Sequence, residues 1–272
     1  MLIHPMPDPV AFSIGPLQVH WYGLMYVLAF ALFIALGRVR IRQPHIAAMG
    51  WKKEDLDDML FYGMLGVVVG GRLGEVLFYR PAFFAANPLE IFEVWHGGMS
   101  FHGGYIGVLL AMWLWSRKAG RNLLDVYDFI APMVPLGYAC GRIGNFINAE
   151  LPGRVADPSL PWAMIWPNVD NLPRHPSPIY QALIDGVLVF IILWIYARKE
   201  RPRLAVGAMF TLLYGGARTF TEYFRTPDWE VNWGGVPITS GQMLSLPMIA
   251  AAIVMLVWAY RKNIRGGVPA RA

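Results

Sequence analysis

Cysteine and charged residues are both scarce in this chain. Cys140 is the single cysteine among 272 residues, which excludes an intrachain disulfide framework and any metal site built from several cysteines. Charged residues make up 15% of the sequence, whereas a typical soluble domain contains about 25%. Because hydrophobic residues reach 56%, the composition predicts an integral membrane protein and argues against a soluble enzyme.

Seven apolar runs, separated by polar loops, account for this composition. About 20 apolar residues cross a bilayer as a helix, and the runs approach that length. We therefore predict an all-α polytopic membrane protein with seven transmembrane helices, formed by a single domain over residues 1–272. The runs are Trp21–Leu36, Met59–Tyr79, Met99–Trp115, Phe129–Ile147, Ile179–Ala197, Leu204–Phe224 and Met243–Tyr260.

Basic residues are distributed unequally among the loops. Sixteen Lys and Arg residues follow the odd-numbered runs, whereas four follow the even-numbered ones. Since cytoplasmic loops carry an excess of Lys and Arg, we expect the N-terminus outside and the C-terminus inside the cell. The net charge of +5 is then an orientation signal and predicts no nucleic-acid partner. The longest loop, residues 151–178, is expected to form a small periplasmic cap or arm.

The segment CGRIGNFINAE, residues 140–150, ends the fourth run with a cluster of polar groups. In a helix, Arg142, Asn145 and Asn148 lie along one stripe. Glu150 follows where the run ends. A charge at the bilayer centre costs about 2.5 to 3.5 kcal/mol, so Arg142 needs either an internal partner, such as a helix carbonyl or Glu150, or a bound anion. We favour a phosphate or carboxylate ligand, because a guanidinium beside carboxamides suits such oxygens.

The segment GARTFTEYFR places Arg218 and Glu222 four residues apart on one helical face. The two side chains could simply neutralise each other as an i, i+4 pair. Alternatively, Arg218 and Arg142 both lie near the outer ends of their spans and could bind one anionic head group. The sequence leaves both interpretations open.

The segment GMSFHGGYIG contains His102, the only histidine well inside an apolar run. An unperturbed imidazole titrates near pH 6.5 and can accept the proton of a thiol or hydroxyl at neutral pH. A single buried histidine can equally act as a structural hydrogen-bond donor. His102 is therefore a candidate general base with a structural alternative.

Glycines recur at four-residue spacing in three of the runs. Such small faces let helix backbones approach closely in lipid, so we predict tight helix packing there. The positions are Gly66, Gly70 and Gly74, then Gly103 and Gly107, then Gly137 and Gly141.

Other residues in the runs have structural interpretations. Arg72 and Glu75 are predicted to form an ion pair, Cys140 is predicted to be a packing residue, and Asp185 is an acid without an explanation. The scattered histidines and carboxylates predict no metal site, and we expect no cofactor.

Four segments carry a resemblance to a known family: HWYGLMY, WHGGMSFHGGYIG, GRIGNFINAELPGR and RTFTEYFR, in this order. Together they closely resemble the bacterial prolipoprotein diacylglyceryl transferases over nearly the whole chain. The resemblance implies transfer of the diacylglyceryl group of phosphatidylglycerol to the lipobox cysteine thiol of a prolipoprotein, which forms a thioether and releases glycerol phosphate. It also implies the first step of lipoprotein maturation, a seven-helix inner-membrane fold and a site that faces the periplasm.

The resemblance also implies roles for individual residues. His102 would help to deprotonate the thiol, while Arg142 and Arg218 would bind the phosphodiester and stabilise the leaving group. Asn148 is added to the predicted site because it lies on the same helical stripe as Arg142 and Asn145. The predicted catalytic residues are His102, Arg142, Arg218 and Glu150, and the predicted substrate-binding residues are Tyr22, Asn145, Asn148, Gly153 and Glu222.

Three positions depart from the family pattern. Ala149 stands where Gly is more usual, Tyr105 where Leu is, and His96 where an acidic residue is common. None of them replaces a proposed catalytic group. The departures therefore bear only on local packing and on the surroundings of the site.

Two functions of other classes use similar residues. A secondary transporter or channel also carries intramembrane charges, but the chain has no detectable repeat between its halves. A non-catalytic lipid-binding or assembly factor could hold an anionic lipid with the same arginines. A diacylglyceryl adduct on a lipobox peptide would separate the transferase from both.

Overall fold

The computed structural model of the chain describes residues 2–93, 97–227 and 229–267. It is mostly helical, as predicted. The helices are α1 (Trp21–Ile41), α2 (Pro44–Ala47), α3 (Lys53–Gly74), α4 (Pro81–Ala86), α5 (Phe101–Lys118), α6 (Leu123–Ile130), α7 (Val134–Ile147), α8 (Ser177–Gln181), α9 (Val189–Tyr196), α10 (Ala205–Thr221) and α11 (Ser240–Lys262). One π-helical segment covers Glu75–Tyr79 and another covers Ala182–Leu188. Short 3-10 helices occur at Pro88–Phe92 and Ala131–Met133.

Short strands are the departure from a purely helical class. They are β1 (Leu2–Ile3), β2 (Val10–Ile14), β3 (Leu17–His20), β4 (Met164–Ile165), β5 (Pro173–Arg174), β6 (Glu230–Trp233) and β7 (Val236–Thr239). Two antiparallel hairpins, β2–β3 and β6–β7, lead directly into α1 and α11, and β4 pairs in parallel with β1 and antiparallel with β5. Strands β4 and β5 lie in the long loop at 151–178.

Five helical segments are long and apolar enough to cross a membrane, and they make the chain a multi-pass membrane protein. α5 and α10 coincide with the two remaining predicted runs but have 18 and 17 residues and are not among the five. The seven-span count therefore stays a prediction. The five segments are Trp21–Ile41, Lys53–Tyr79, Leu123–Ile147, Ser177–Tyr196 and Ser240–Lys262.

The chain divides into two units, which are described separately. Unit 1 comprises Met1–Leu36 and Tyr127–Arg265, and unit 2 comprises Gly37–Val126 and Gly266–Ala272. Unit 1 contains every strand that the described ranges hold. Its buried core includes Ala131, Leu193, Ala197 and Val206.

In unit 2, the glycine faces of α3 and α5 bring the two helix backbones together. A methyl group added at Gly66 would lie 2.6 Å from the carbonyl oxygen of Gly107, and one added at Gly70 would overlap the carbonyl of Gly103. The predicted tight packing is confirmed for this pair of helices. At Gly141 in unit 1 a methyl group would meet nothing within 4 Å, so the prediction is wrong there.

Gly66→Ala is expected to destabilise the fold by about 1 to 3 kcal/mol, because the backbone of α5 must move away from the new methyl group. Gly63→Ala is the matched control in the same helix, since its methyl group would lie 3.9 Å from Met112 Cε. Thermal unfolding in detergent measures both. Equal melting temperatures for the two variants would contradict the close approach of the helices.

Arg72 in unit 2 has a different partner from the one predicted. Its Nε donates to the carbonyl of Ile91 at 3.0 Å, and its Nη1 donates to the carbonyl of Gly97 at 2.6 Å. Among the described residues, Arg72 forms no ion pair with Glu75. The guanidinium instead organises the backbone that follows α4, a long-range role that i, i+3 spacing does not reveal.

In unit 1, the end of α6 and the helix α7 that follows it contact α10. Asp128 accepts hydrogen bonds from the backbone amides of Leu204 and Gly207 at 2.6 and 2.7 Å, and so caps the start of α10. Further along, the rings of Tyr138 and Tyr214 meet with centroids 5.5 Å apart. Because these contacts advance in the same direction along both segments, α7 and α10 run parallel.

Candidate active site

The polar stripe of α7 forms a continuous hydrogen-bonded chain. Arg142 Nη1 donates to Asn145 Oδ1 at 3.2 Å, and Asn145 Nδ2 donates to Glu150 Oε2 at 2.7 Å. Asn148 Nδ2 donates to Glu150 Oε1 at 3.3 Å. These four predicted site residues are therefore brought together. Within the described part of the chain Arg142 forms no ion pair with Glu150, so its charge is not directly neutralised by that carboxylate.

Tyr22, at the start of α1, packs against this stripe. Its ring lies so close to Gly144 that a methyl group added there would be 2.9 Å from Tyr22 Cδ2. Gly144 directly precedes Asn145, so the ring of Tyr22 borders the polar chain. The structure thus places Tyr22 beside this polar chain, by an approach that only a glycine permits.

The turn that carries Glu150 is conformationally strained. The residues on either side, Ala149 and Leu151, have φ angles of 54° and 55°, and such a conformation costs about 1 to 3 kcal/mol for a non-glycine residue. Asn168 Nδ2 donates to the carbonyl of Ala149 at 3.0 Å, and Ser177 Oγ to that of Leu151 at 2.8 Å. The backbone conformation explains why the family more often has Gly at the position of Ala149, because a positive φ angle favours glycine.

His4 anchors the end of α7 from the N-terminal segment. Burial lowers the pKa of the His4 imidazole, so the ring is neutral at pH 7. Its Nδ1 accepts from the Met6 amide at 3.1 Å, and its Nε2 therefore donates to the carbonyl of Phe146 at 2.8 Å. The ring also stacks on Trp166, with centroids 4.4 Å apart. The hydrogen bond from His4 to the carbonyl of Phe146 holds the helix turn that bears Asn145.

Glu222 is fully buried between two arginines. Arg218 Nη1 lies 2.6 Å from its Oε2, and Arg225 Nη1 lies 3.6 Å from its Oε1. A methyl group added at Gly241 would lie 2.5 Å from the carboxylate carbon, so the carboxylate also touches the first turn of α11, where the helix dipole favours an anion. The predicted i, i+4 pair is present, and the same carboxylate also lies near Arg225.

Arg142 and Arg218 share one neighbourhood. Tyr138 precedes Arg142 by four residues, Tyr214 precedes Arg218 by four, and the two rings meet edge to face. Since α7 and α10 are parallel, each guanidinium-bearing residue lies about one turn, roughly 5.4 Å, beyond that contact. Both arginines also act electrostatically on the carboxylate of Asp185. The two predicted arginines are thus brought together.

Unused hydrogen-bonding capacity remains at this place. Among the residues described, Arg218 Nη1, both carboxylate oxygens of Glu222 and Asn148 Oδ1 are buried without a hydrogen-bond partner. The short approach of Arg218 to Glu222 is an ion pair without hydrogen-bond geometry. Buried polar atoms nearly always bond to protein or water. Of these atoms, Arg218 Nη1 is the donor, and it suits an anionic ligand.

Gly153 has a backbone role. Its amide donates to the carbonyl of His175, and its own carbonyl accepts from Arg174 Nη1, both at 2.9 Å. A methyl group added here would overlap the carbonyl of Phe224 and lie 2.6 Å from that of His175. The predicted importance of Gly153 therefore follows from close packing between the long loop and the end of the sixth apolar run.

His102 lies in unit 2, in the first turn of α5, and its side chain is exposed. The helix begins with Ser100, whose Oγ accepts from the Gly103 amide at 3.1 Å. Tyr105, on the same helix, is also exposed. His96 lies outside the described residues.

Sequence reasoning missed several contributors to the site in unit 1. Tyr138 and Tyr214 could have been found, because YACGR and YGGAR repeat one Tyr-x-x-x-Arg pattern on the two arginine helices. His4 carried no comparable signal, since its partner Phe146 is 142 residues away in sequence. Arg225 lies three residues after Glu222, and this short spacing could have indicated the pair.

Comparison with known proteins extends the motif resemblance to nearly the whole chain. The model of a family described as prolipoprotein diacylglyceryl transferase matches residues 9–258. A protein of Janthinobacterium sp. (strain Marseille) named phosphatidylglycerol-prolipoprotein diacylglyceryl transferase is 74% identical over 97% of this chain and 99% of its own length. Proteins of the same name from Dechloromonas aromatica and Cupriavidus pinatubonensis are 59% and 58% identical, over 97% and 98% of this chain and 99% and 96% of their own.

Proposed function

Because the chain belongs to the prolipoprotein diacylglyceryl transferase family, we propose that it transfers the diacylglyceryl group of phosphatidylglycerol to the lipobox cysteine of a prolipoprotein. The thiol sulfur attacks the glyceryl carbon that bears the phosphate, and the bond between that carbon and the phosphate oxygen breaks. The thiol proton passes to a base on the enzyme. The products are a thioether and glycerol phosphate, so the reaction is the first step of lipoprotein maturation.

The shared neighbourhood of Arg142 and Arg218, each four residues beyond the contact between Tyr138 and Tyr214, carries this proposal. A phosphodiester has one negative charge, and its phosphate gains charge as the carbon–oxygen bond breaks. Two guanidinium groups from different helices can bind that phosphate and stabilise the added charge where little water is present. Such a donor typically lowers the barrier by about 2.7 to 4 kcal/mol.

The remaining predicted residues support the two arginines. Asn145, Asn148 and Glu150 form the chain that orients Arg142. Glu222 holds Arg218. We assign Tyr22 to the edge of the lipid site, because its ring borders the polar chain.

His102 is proposed as the group that accepts the thiol proton. A thiol with an ordinary pKa near 8.5 is mostly protonated at pH 7, and a neighbouring imidazole raises the fraction of thiolate. Its exposed position in the first turn of α5 lets a substrate reach it.

The membrane arrangement proposed here has seven spans, with the N-terminus in the periplasm and the C-terminus in the cytoplasm of a bacterial inner membrane. The five apolar helices support a multi-pass protein, and the loop charges support the orientation. In this arrangement the end of α7 and the loop at 151–178 face the periplasm, where prolipoproteins present the lipobox. The loop and its short strands β4 and β5 would form the cap over the site.

The deciding experiment supplies purified protein with phosphatidylglycerol vesicles and a synthetic lipobox peptide. Mass spectrometry should detect a peptide that has gained one diacylglyceryl group, and glycerol phosphate should appear in equal amount. A lipobox peptide with Cys→Ser is the control and should gain nothing. Lipid binding without an adduct would instead indicate an assembly factor, and would overturn the proposal.

His102→Gln is expected to lower the transfer rate and to change its pH dependence, because it removes a group that accepts a proton. His45→Gln, in α2 and outside the candidate site, is the control and should retain the wild-type profile. If His102→Gln keeps most of the activity with an unchanged profile, the base is another group, such as Glu150 or a water bound to it.

A further inference from the structure

Asp185 is a buried acid that the proposed reaction does not use. It lies in the π-helical segment Ala182–Leu188, inside the apolar span Ser177–Tyr196, and is 0% exposed. An ionisable residue within a membrane span is costly to bury and usually has a function and a definable partner. Single π-helical turns are also frequent at functional sites. Both features call for an explanation of Asp185.

Two hydroxyl groups from two other helices donate to this carboxylate. Tyr138 Oη, from α7, donates to Asp185 Oδ2 at 3.2 Å. Thr221 Oγ1, from the end of α10, donates to Oδ1 and Oδ2 at 3.1 and 3.0 Å. A methyl group added at Gly186 would lie 2.6 Å from Ala139 Cβ, so the π-helical segment can approach α7 this closely only through a glycine.

Each of these hydroxyl groups belongs to a residue beside one of the two arginines. Tyr138 lies one turn before Arg142, and its ring supports the guanidinium, whose central carbon is 4.8 Å from the ring centroid. Thr221 lies three residues after Arg218 on α10. Asp185 therefore connects the two arginine-bearing helices at the level of the site.

We propose that Asp185 is a positioning residue which, through Tyr138 and Thr221, fixes the separation of Arg142 and Arg218 so that both bind one phosphate. Asp185 itself touches no substrate. The carboxylate acts as a common acceptor, and its charge also holds the two cations near each other before the lipid binds. This inference rests on the proposed function, because it gives the two arginines a shared ligand.

The first test compares rates of transfer. Tyr138→Phe removes one hydroxyl and keeps the ring below Arg142, whereas Thr221→Val removes the other with little change of volume. Each is expected to lower kcat/KM about tenfold, since a hydrogen bond to a charged group is lost and an arginine is less well placed. Tyr196→Phe is the matched control, because it removes a hydroxyl bonded to Tyr260 at 2.7 Å and should stay within about twofold of the wild type.

The second test uses a double-mutant cycle on the binding of phosphatidylglycerol, followed by native mass spectrometry with lipid titration. If Tyr138 acts through Arg142, Tyr138→Phe weakens binding in the wild type but has little further effect in Arg142→Lys. The same cycle with Tyr196→Phe should show no coupling. A purely structural role would give additive losses that follow the melting temperature, so this readout separates positioning from stability.

Two results would overturn the inference: transfer rates for Tyr138→Phe and Thr221→Val equal to that of Tyr196→Phe, or additive effects in the binding cycle. Failure of the proposed function has a different signature, because the wild-type protein itself would then produce no adduct. Even in that case the binding cycle still decides whether Asp185 and its partners position the arginines.

Discussion

Arg142→Lys is expected to abolish transfer nearly as completely as Arg142→Ala, with each lowering kcat/KM at least about 100-fold. The guanidinium is planar and makes two internal contacts at once. Its Nη1 donates to Asn145 Oδ1 at 3.2 Å, and its central carbon lies 4.8 Å from the ring centroid of Tyr138. These contacts fix its plane while other N–H groups bind the phosphate. An ammonium group is a point charge and reproduces neither the stacking nor the paired hydrogen bonds.

Arg201→Lys is the matched control for this prediction. Arg201 also stacks on a tyrosine, with its guanidinium carbon 4.1 Å from the ring centroid of Tyr196, and its Nε donates to the carbonyl of Tyr196 at 3.0 Å. It is not a candidate site residue, so the Lys variant should transfer at a nearly normal rate. Near-normal formation of the adduct by Arg142→Lys would refute the role given to its geometry.

The parts of the site that depend on helical spacing could be predicted from the sequence. Arg142, Asn145 and Asn148 share a stripe because their spacing follows the helix repeat. Arg218 and Glu222 form the expected i, i+4 pair for the same reason. The glycine faces of α3 and α5 were likewise predictable, since small residues at four-residue spacing mark close helix contacts.

The parts that depend on chain path could not be predicted. Asp185 meets Tyr138 and Thr221, which are 47 and 36 residues away in sequence, and no local period relates them. The strained turn at Ala149 is set by hydrogen bonds from residues beyond it. Arg72 shows the opposite error, because its local spacing to Glu75 suggested an ion pair where distant backbone carbonyls are the actual partners.

Glu222→Gln is expected to destabilise the protein by about 3 to 5 kcal/mol, since it removes the carboxylate that a buried arginine depends on. Glu222 is 0% exposed and lies 2.6 Å from Arg218. Glu200→Gln is the control, because Glu200 pairs with Arg265 at 3.9 Å and both side chains are about half exposed. Such a surface pair contributes only about 0 to 1 kcal/mol. Unfolding in detergent compares the two variants.

The double variant Arg218→Gln/Glu222→Gln decides between the two interpretations of this pair. Removing both charges leaves no unpaired partner in the pair, so much of the lost stability should return. If Arg218 serves only to neutralise Glu222, formation of the diacylglyceryl adduct should return as well. If Arg218 binds the lipid phosphate, stability recovers while transfer stays at least about 100-fold below the wild type. We expect the second result, because Arg218 shares its neighbourhood with Arg142 and two guanidinium groups suit one phosphate.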